Sequence, residues 1–363
     1  MSTLAETPQP AAQAPKPIKP LMRRVERDRS QQARRTVQFV FLALNLVIGA
    51  QFLLWVRFYD SQGSTLYVER PSGVDGWLLI LGLMNLRYAL ATRQFPQFHP
   101  SAMVLLCVFL LASLLVKKSF CSWLCPIGTL SEYLWKLARR VFHRNLTLPR
   151  WLDLPLRSLK YLLLAFFVFI VFTMSTEDLG AFLASPFSLV ADVKMLDFFR
   201  TLSLAGLAVL MLLVALSVVV QNFWCRYLCP YGALMGIVSA FSPVKIRRDA
   251  EACIDCGKCS KACPSHLPVD NLVQIRSVEC TACMECVAVC PAQNALQLSL
   301  PPRNAAPVER WRRRALKPWT VAAAIAVVFF GFVVCARVTG HWNTILSHQI
   351  YMELVPNAEN FEH

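Results

Sequence analysis

Twelve of the fourteen cysteines fall in four short clusters, and a proline follows the last cysteine of each cluster. Residues 253–264 read CIDCGKCSKACP, and residues 280–291 read CTACMECVAVCP. Both runs have the spacing C-x2-C-x2-C-x3-C-P, which is typical of chains that hold two iron–sulfur clusters. Thiolates spaced in this way on a tight loop converge on one cluster, and the amides between them can donate hydrogen bonds to its sulfur atoms.

The fourth cysteine of each run is expected to bind the cluster of the other run. We therefore expect two [4Fe–4S] clusters with crossed ligand sets. A pair of structural zinc sites is the alternative, since zinc also uses C-x2-C pairs. Zinc does not need the third cysteine and the Cys-Pro that follow here. The expected ligands are Cys253, Cys256, Cys259 and Cys290 for cluster I, and Cys280, Cys283, Cys286 and Cys263 for cluster II.

A second motif is repeated, as FCSWLCPIGTL at residues 120–130 and WCRYLCPYGAL at residues 224–234. Each copy follows an apolar stretch, and the proline disfavours a helical conformation at the cysteine before it. One thiolate pair holds a cubane poorly, but two pairs supply four ligands. The repeat predicts a third [4Fe–4S] cluster at the membrane surface. Dithiol redox couples, a copper or zinc site and a structural role remain alternatives. The four cysteines are Cys121, Cys125, Cys225 and Cys229.

The composition is that of a membrane protein, because 56% of the 363 residues are hydrophobic and 16% are charged. A typical soluble domain is about 25% charged. A segment from Trp77 to Leu90 is apolar but short, and we expect an interfacial or re-entrant helix there. Five other stretches approach or meet the roughly 20 residues that cross a bilayer. They are residues 36–56, 101–116, 158–175, 202–221 and 318–336.

Lysine and arginine are distributed unequally between the two sides that five spans would create. With the N-terminus in the cytoplasm, segments 1–35, 117–160 and 222–317 contain 8, 9 and 13 of these residues. The three outer segments contain 4, 2 and 1. The positive-inside rule therefore favours five spans with the cysteine runs in the cytoplasm and the C-terminus outside. The formal net charge is +15, but the basic residues flank the spans and form no single patch. Nucleic acid is therefore not an expected partner.

The expected fold is an all-α integral membrane protein, surrounded by lipid, with an inserted α+β two-cluster ferredoxin domain. Its expected divisions are a disordered basic cytoplasmic tail (1–35), a four-span region with both CxxxCP motifs (36–244), the ferredoxin domain (245–300), a basic linker (301–317), a fifth span (318–336) and an extracytoplasmic tail (337–363).

Four groups of residues resemble the membrane polyferredoxin family that includes NapH, the C-terminal part of NosR and CcoG. They are FCSWLCPIGTLSEYL, NFWCRYLCPYGALMG, SPVKIRRD and the two ferredoxin runs. The resemblance covers nearly the whole chain beyond residue 36, and the layout is most similar to the short YccM-type members. It implies electron transfer at the bacterial inner membrane, linked to quinol or to a respiratory metalloenzyme. We expect neither the flavin-binding domain of NosR-like members nor the immunoglobulin-like extension of CcoG-like members.

These observations favour an electron carrier over a stand-alone enzyme. It would pass single electrons between a cytoplasmic or quinol donor and a respiratory or metalloenzyme partner, so redox proteins are the expected partners. Two other functions fit the same cysteines. A cupric-ion reductase would need a metal-binding surface beside a cluster, and an iron–sulfur assembly or sensor protein would have clusters that change in occupancy.

Overall fold

The computed structural model describes residues 22–24, 28–142, 148–301 and 314–361. Most of the predicted tail and linker therefore lies outside the described residues. Within the predicted tail, the backbone amide of Arg24 donates to the carbonyl oxygen of Pro291 at 3.0 Å. The first helix already begins at Ser30, so residues 30–35 belong to the helix and not to a disordered tail.

The described chain is mainly helical and has one small sheet, which confirms the predicted fold class. The strands are β1 (Lys245–Arg248) and β2 (Leu296–Ser299). The α-helices are α1 (Ser30–Asp60), α2 (Leu79–Thr92), α3 (Pro100–Leu115), α4 (Pro126–Phe142), α5 (Arg150–Thr173), α6 (Thr176–Leu183), α7 (Pro186–Leu189), α8 (Ala191–Arg200), α9 (Leu204–Val219), α10 (Pro230–Ser239), α11 (Lys258–Lys261), α12 (Glu285–Ala288), α13 (Pro318–Val338) and α14 (His348–Leu354).

Three of the five predicted spans, namely α1, α5 and α13, are long and apolar enough to cross a membrane singly. The described residues contain up to four such spans if α8 and α9, which meet at an 88° bend, are counted as one. The other predicted span, α3, has 16 residues, as does α9 alone. Shortly after these helices end, Lys117 and Asn222 adopt left-handed backbone conformations, with φ of 56° and 54°.

The segment before α3 forms a short helix that packs against α3, and its predicted interfacial or re-entrant position stays a prediction. A 3₁₀ turn runs from Ser72 to Trp77, and α2 begins directly after it. A Cβ atom at Gly82 would lie 3.5 Å from the Cβ of Leu106, in the middle of α3. Further along α2, the side-chain amide of Asn85 donates to the carbonyl oxygen of His99 at 3.0 Å, just before α3 starts.

The ferredoxin domain and the C-terminal tail lie at opposite ends of α1. At its start, Gln31 donates to the carbonyl oxygen of Cys283 at 2.9 Å. At its end, the hydroxyl of Tyr59 and a ring nitrogen of His348 form a hydrogen bond of 2.6 Å. A helix of 31 residues is about 45 Å long at 1.5 Å per residue. This separation exceeds the thickness of a hydrocarbon core, about 30 Å.

The ferredoxin domain packs directly onto the end of the bundle at which α1 begins. Strand β1 pairs antiparallel with β2. Ile246 of β1 and Leu298 of β2 share a buried apolar cluster with Trp123 of the first CxxxCP motif. The indole nitrogen of Trp123 also donates to the carbonyl oxygen of Ala282 at 3.3 Å. The two predicted cysteine sites are therefore joined by a common core.

Candidate iron–sulfur centres

The two ferredoxin loops have the same alternating backbone conformation. Asp255 and Gly257 have φ of 54° and 66°, and the equivalent Ala282 and Met284 have φ of 50° and 56°. Left-handed residues that alternate with ordinary ones turn successive amide groups toward one concave face, which suits an anionic group. Non-glycine residues in this conformation cost of order 1 kcal/mol each, and such strain concentrates at functional sites.

The structure brings together the four cysteines expected to hold cluster I. Cys253, Cys256, Cys259 and Cys290 line one small cavity, although Cys290 is far from the others in sequence. Burial raises the pKa of the Cys290 thiol, and the nearby thiols of Cys253 and Cys256 add to this rise. The fourth cysteine of the second run therefore lies beside the first three of the first run, as the crossed pattern requires.

The four cysteines expected to hold cluster II are also neighbours. Burial raises the pKa of Cys283 to about 12, and the thiol of Cys263 contributes to the rise. Burial also raises the pKa of Cys286 well above its usual value, with contributions from Cys283, Cys263 and Cys280. Cys280 and Cys286 are buried, so this second set lies deeper than the set for cluster I.

Each CxxxCP motif forms the junction between two helices. The first cysteine lies in a π-helical turn, Phe120–Leu124 or Trp224–Leu228, and the second adopts an extended conformation just before the next helix. Helices α4 and α10 then begin on the proline, the favoured residue type at a first helical position.

The two motifs converge in space although 104 positions separate Cys121 from Cys225. Cys121, Cys125, Cys225 and Cys229 line one cavity of about 2160 Å³, together with Cys283 of the ferredoxin domain. Burial raises the pKa of Cys225 well above its usual value, and the other three thiols add to this. The cavity is larger than the roughly 300–1,000 Å³ that one small ligand occupies.

The spacing of the sulfur atoms separates a cluster from zinc. In a tetrahedral zinc site, Zn–S bonds of about 2.3 Å place the sulfur atoms roughly 3.8 Å apart. Among the described residues, which include every cysteine, no three cysteines have all their sulfur atoms within 4.8 Å of one another. In each set, at least one pair of thiols therefore lies farther apart than the ligands of a single zinc ion do. A larger group such as a cubane accommodates that spacing.

A buried charge network, not evident from the sequence, lies beside the CxxxCP cysteines. Lys160 donates to both carboxylate oxygens of Glu279 at 2.7 Å, and the ammonium of Lys118 lies 3.8 Å from the same carboxylate. Burial tends to raise the pKa of Glu279, but the two lysines hold it down at about 2. Burial tends to lower the pKa of Lys118, but Glu279 and the thiols of Cys121 and Cys229 raise it. Two cations therefore face one carboxylate and the thiol set.

A second buried network fixes the position of the ferredoxin loop. Arg34 pairs with Glu132 at 2.5 Å and with Glu285 at 3.1 Å, and Lys136 bonds both carboxylates. These residues come from α1, α4 and α12. In the sequence, Arg34 belongs to a basic stretch that looks like an ordinary cytoplasmic flank, so no local signal indicates this role.

Each CxxxCP motif also contacts the expected ligand loops of cluster II. The hydroxyl of Ser122 donates to the carbonyl oxygen of Thr281 at 2.6 Å. In the second motif, the guanidinium of Arg226 donates to the carbonyl oxygen of Pro264 at 3.3 Å and is held by Asp153. The two repeats thus contact the two segments that contain this ligand set.

Comparisons with known proteins match these same regions. A family model described as "4Fe-4S binding domain" matches residues 98–145 and 202–249, one copy of the CxxxCP motif in each. A second, described as "4Fe-4S dicluster domain", matches residues 245–291. The chain is 48% identical to "Putative electron transport protein YccM" of Escherichia coli over 330 residues, which are 91% of each chain. The chain belongs to the membrane polyferredoxin family.

Two other members are more distant. This polyferredoxin is 28% identical to "Ferredoxin-type protein NapH" of Escherichia coli over 71% of its own length and 85% of that protein. It is 33% identical to "Regulatory protein NosR" of Pseudomonas aeruginosa over 50% of its own length and 25% of that protein. No solved structure matches it. Family, fold and cysteine arrangement make it a membrane iron–sulfur electron transfer protein that binds [4Fe–4S] clusters.

Proposed function

We propose that this polyferredoxin carries single electrons between the bilayer and a soluble redox protein through three [4Fe–4S] sites. The observation that carries this proposal is the shared cavity, which Cys283 of cluster II lines together with the four CxxxCP cysteines. When bound, each cluster accepts and releases one electron, which is the redox chemistry that the side chains lack. The role of the chain is to place the ligand sets and to control the charge around them.

The ligand sets lie in a definite order. The CxxxCP set is next to cluster II through Cys283 and through the contacts of both motifs with its loops. The set for cluster II is next to that for cluster I, since the thiol of Cys259 is among the groups that raise the pKa of Cys286. The order from the membrane outward is therefore the CxxxCP set, cluster II and cluster I.

The two ends of this series differ in what can reach them. Cys256 of the cluster I set is exposed, so a soluble redox partner protein could approach there. The CxxxCP set opens instead into the large cavity, whose walls include α1 and α9. A lipid-soluble donor such as quinol would reach that end. A respiratory enzyme or another metalloenzyme would then exchange electrons at cluster I.

The proposed location is the bacterial inner membrane, with the N-terminus and the ferredoxin domain in the cytoplasm and the C-terminus outside. The unequal distribution of lysine and arginine supports this orientation. The position of the ferredoxin domain and the C-terminal tail at opposite ends of α1 is consistent with it.

The test is the iron content of the purified protein after anaerobic reconstitution. Wild type should hold about twelve irons per chain, four for each cluster. Cys121→Ala and Cys225→Ala should each reduce this to about eight, because the two repeats complete one site. The double variant should also hold about eight, since residues within one unit have non-additive effects. Cys335→Ala, at an exposed cysteine in α13, is the control and should hold about twelve.

If the iron lost by the double variant equals the sum of the iron lost by the two single variants, each repeat forms its own site. Eight irons in wild type, unchanged by either substitution, would mean that the CxxxCP cysteines bind no cluster. A redox titration followed by electron paramagnetic resonance then tests the function. Reversible potentials for three clusters are expected of a carrier, rapid reoxidation by cupric ion of a reductase, and labile clusters of a sensor.

A further inference from the structure

The motif SPVKIRRD, residues 242–249, contains strand β1 and places two cations on one side of it. Lys245 and Arg247 are two positions apart in the strand, so both project from the same face. An antiparallel bridge joins Arg247 to Gln274, in the segment between the two ferredoxin runs. This register sets Arg276 opposite Lys245, on the face that also carries Arg247.

Lys245 and Arg276 form a pair of like charges. Burial lowers the pKa of Lys245, and the charges of Arg276 and Arg247 lower it further. Among the described residues, no carboxylate forms an ion pair with Lys245 or Arg276. Like charges that lie directly opposite each other in a sheet are destabilising. The pair therefore favours the binding of an anion between the two side chains.

Lys117 fixes the backbone beside this pair. Its ammonium donates to the carbonyl oxygens of Arg276 and Ser277 at 3.2 and 3.0 Å. Its backbone amide donates to the hydroxyl oxygen of Ser242, the first residue of the motif, at 2.9 Å. The predicted span 101–116 ends one residue before Lys117, so the cation pair is expected at the membrane surface.

An exposed aromatic side chain lies next to the cations. The ammonium of Lys245 donates to the carbonyl oxygen of Ala240, directly after α10, at 3.5 Å, and Phe241 is the next residue. Phe241 is 78% exposed, and Ile237 of α10 is 45% exposed. Aromatic side chains are typical of membrane interfaces, and basic pockets beside spans bind phospholipid head groups. A soluble phosphate would use the cations alone, whereas a phospholipid would also cover the apolar side chains.

We propose that Lys245 and Arg276 bind the phosphate of an anionic phospholipid in the surrounding bilayer, while Phe241 contacts its apolar part. The bound lipid holds the ferredoxin domain against the membrane, because both cations belong to that domain. It also gives a role to the SPVKIRRD motif, which contains no cysteine. This inference goes beyond the proposed electron transfer and does not depend on the number of clusters.

The test measures the binding of phosphatidylglycerol to the purified full-length protein by native mass spectrometry, with zwitterionic phosphatidylcholine for comparison. Lys245→Gln and Arg276→Gln should each raise the dissociation constant for phosphatidylglycerol about 5-fold, the effect of one cation at a membrane surface. Lys261→Gln is the matched control, since it removes an exposed positive charge from α11 of the same domain and should bind as wild type does. Unchanged affinity in both cation variants, or an equal loss in Lys261→Gln, would overturn the proposal.

Melting temperatures in nanodiscs separate a lipid from a soluble phosphate. In phosphatidylcholine alone, Lys245→Gln should melt no lower than wild type, because the removed charge lies opposite a like charge. Addition of phosphatidylglycerol should stabilise wild type more than Lys245→Gln, since a ligand stabilises the state that binds it. Phe241→Ala should reduce the stabilisation by phosphatidylglycerol. If inorganic phosphate stabilises wild type as much as phosphatidylglycerol does, and Phe241→Ala changes neither effect, the site binds a soluble phosphate and the lipid proposal is wrong.

Discussion

Gly128 is the residue at which a single added carbon should disrupt the CxxxCP site. A Cβ atom at this position would lie less than 3.0 Å from the carbonyl oxygen of Cys121 and 3.7 Å from the Cβ of Cys125. The carbonyl belongs to the backbone of the π-helical turn, so no side-chain rotation relieves the contact. The equivalent Gly232 is less crowded, since its Cβ would lie 3.2 Å from the carbonyl oxygen of Cys225.

The expected loss of stability follows from these distances. Real Cβ atoms essentially never come closer than 3.0 Å to such a neighbour, so Gly128→Ala must displace the turn that carries Cys121. Overpacking of this kind typically costs about 1–3 kcal/mol. Gly232→Ala needs a shift of only a few tenths of an ångström. We therefore expect Gly128→Ala to lower the free energy of unfolding by about 1–3 kcal/mol, and Gly232→Ala by clearly less.

The assay combines iron content, the paramagnetic resonance spectrum of the reduced protein and the melting temperature. Gly128→Ala should hold about eight irons in place of about twelve, because displacement of Cys121 removes a ligand of one cubane. Gly331→Ala is the control, since nothing lies within 4 Å of its added carbon. A Gly128→Ala protein with full iron content, an unchanged spectrum and an unchanged melting temperature would refute the reasoning.

Three further predictions concern topology, ligands and charge. A reporter that is active only outside the cytoplasm should work when fused after residue 363 and fail after residue 300; the opposite pattern would contradict the orientation. The double variant Cys256→Ala/Cys283→Ala should lose up to about eight irons, because each ferredoxin site loses one ligand. Purified wild-type protein that holds zinc in place of iron would argue against both clusters. Lys118→Met should lower the midpoint potential of the CxxxCP cluster by about 40–90 mV at constant iron content. The loss of a nearby cation makes the added electron less favourable by about 1–2 kcal/mol. An unchanged potential would show that Lys118 does not tune it.

The sequence determined those features of this protein that depend on short spacing. The loops around Cys253 and Cys280 follow from cysteines with two or three residues between them, because backbone geometry alone brings such thiols together. The helix breaks at Pro126 and Pro230 follow from the missing amide of proline. Apolar length predicted α1, α5 and α13, since a bilayer sets the length of a span.

Tertiary structure alone decided the contacts between distant parts of the chain. The pairings of Lys160 with Glu279 and of Arg34 with Glu132 join segments that no local pattern relates. Each of these charged residues, taken by itself, has an ordinary interpretation as part of a flank or a loop. Their roles come from burial, because a charge or a donor acquires its energetic weight only when the fold removes water from it.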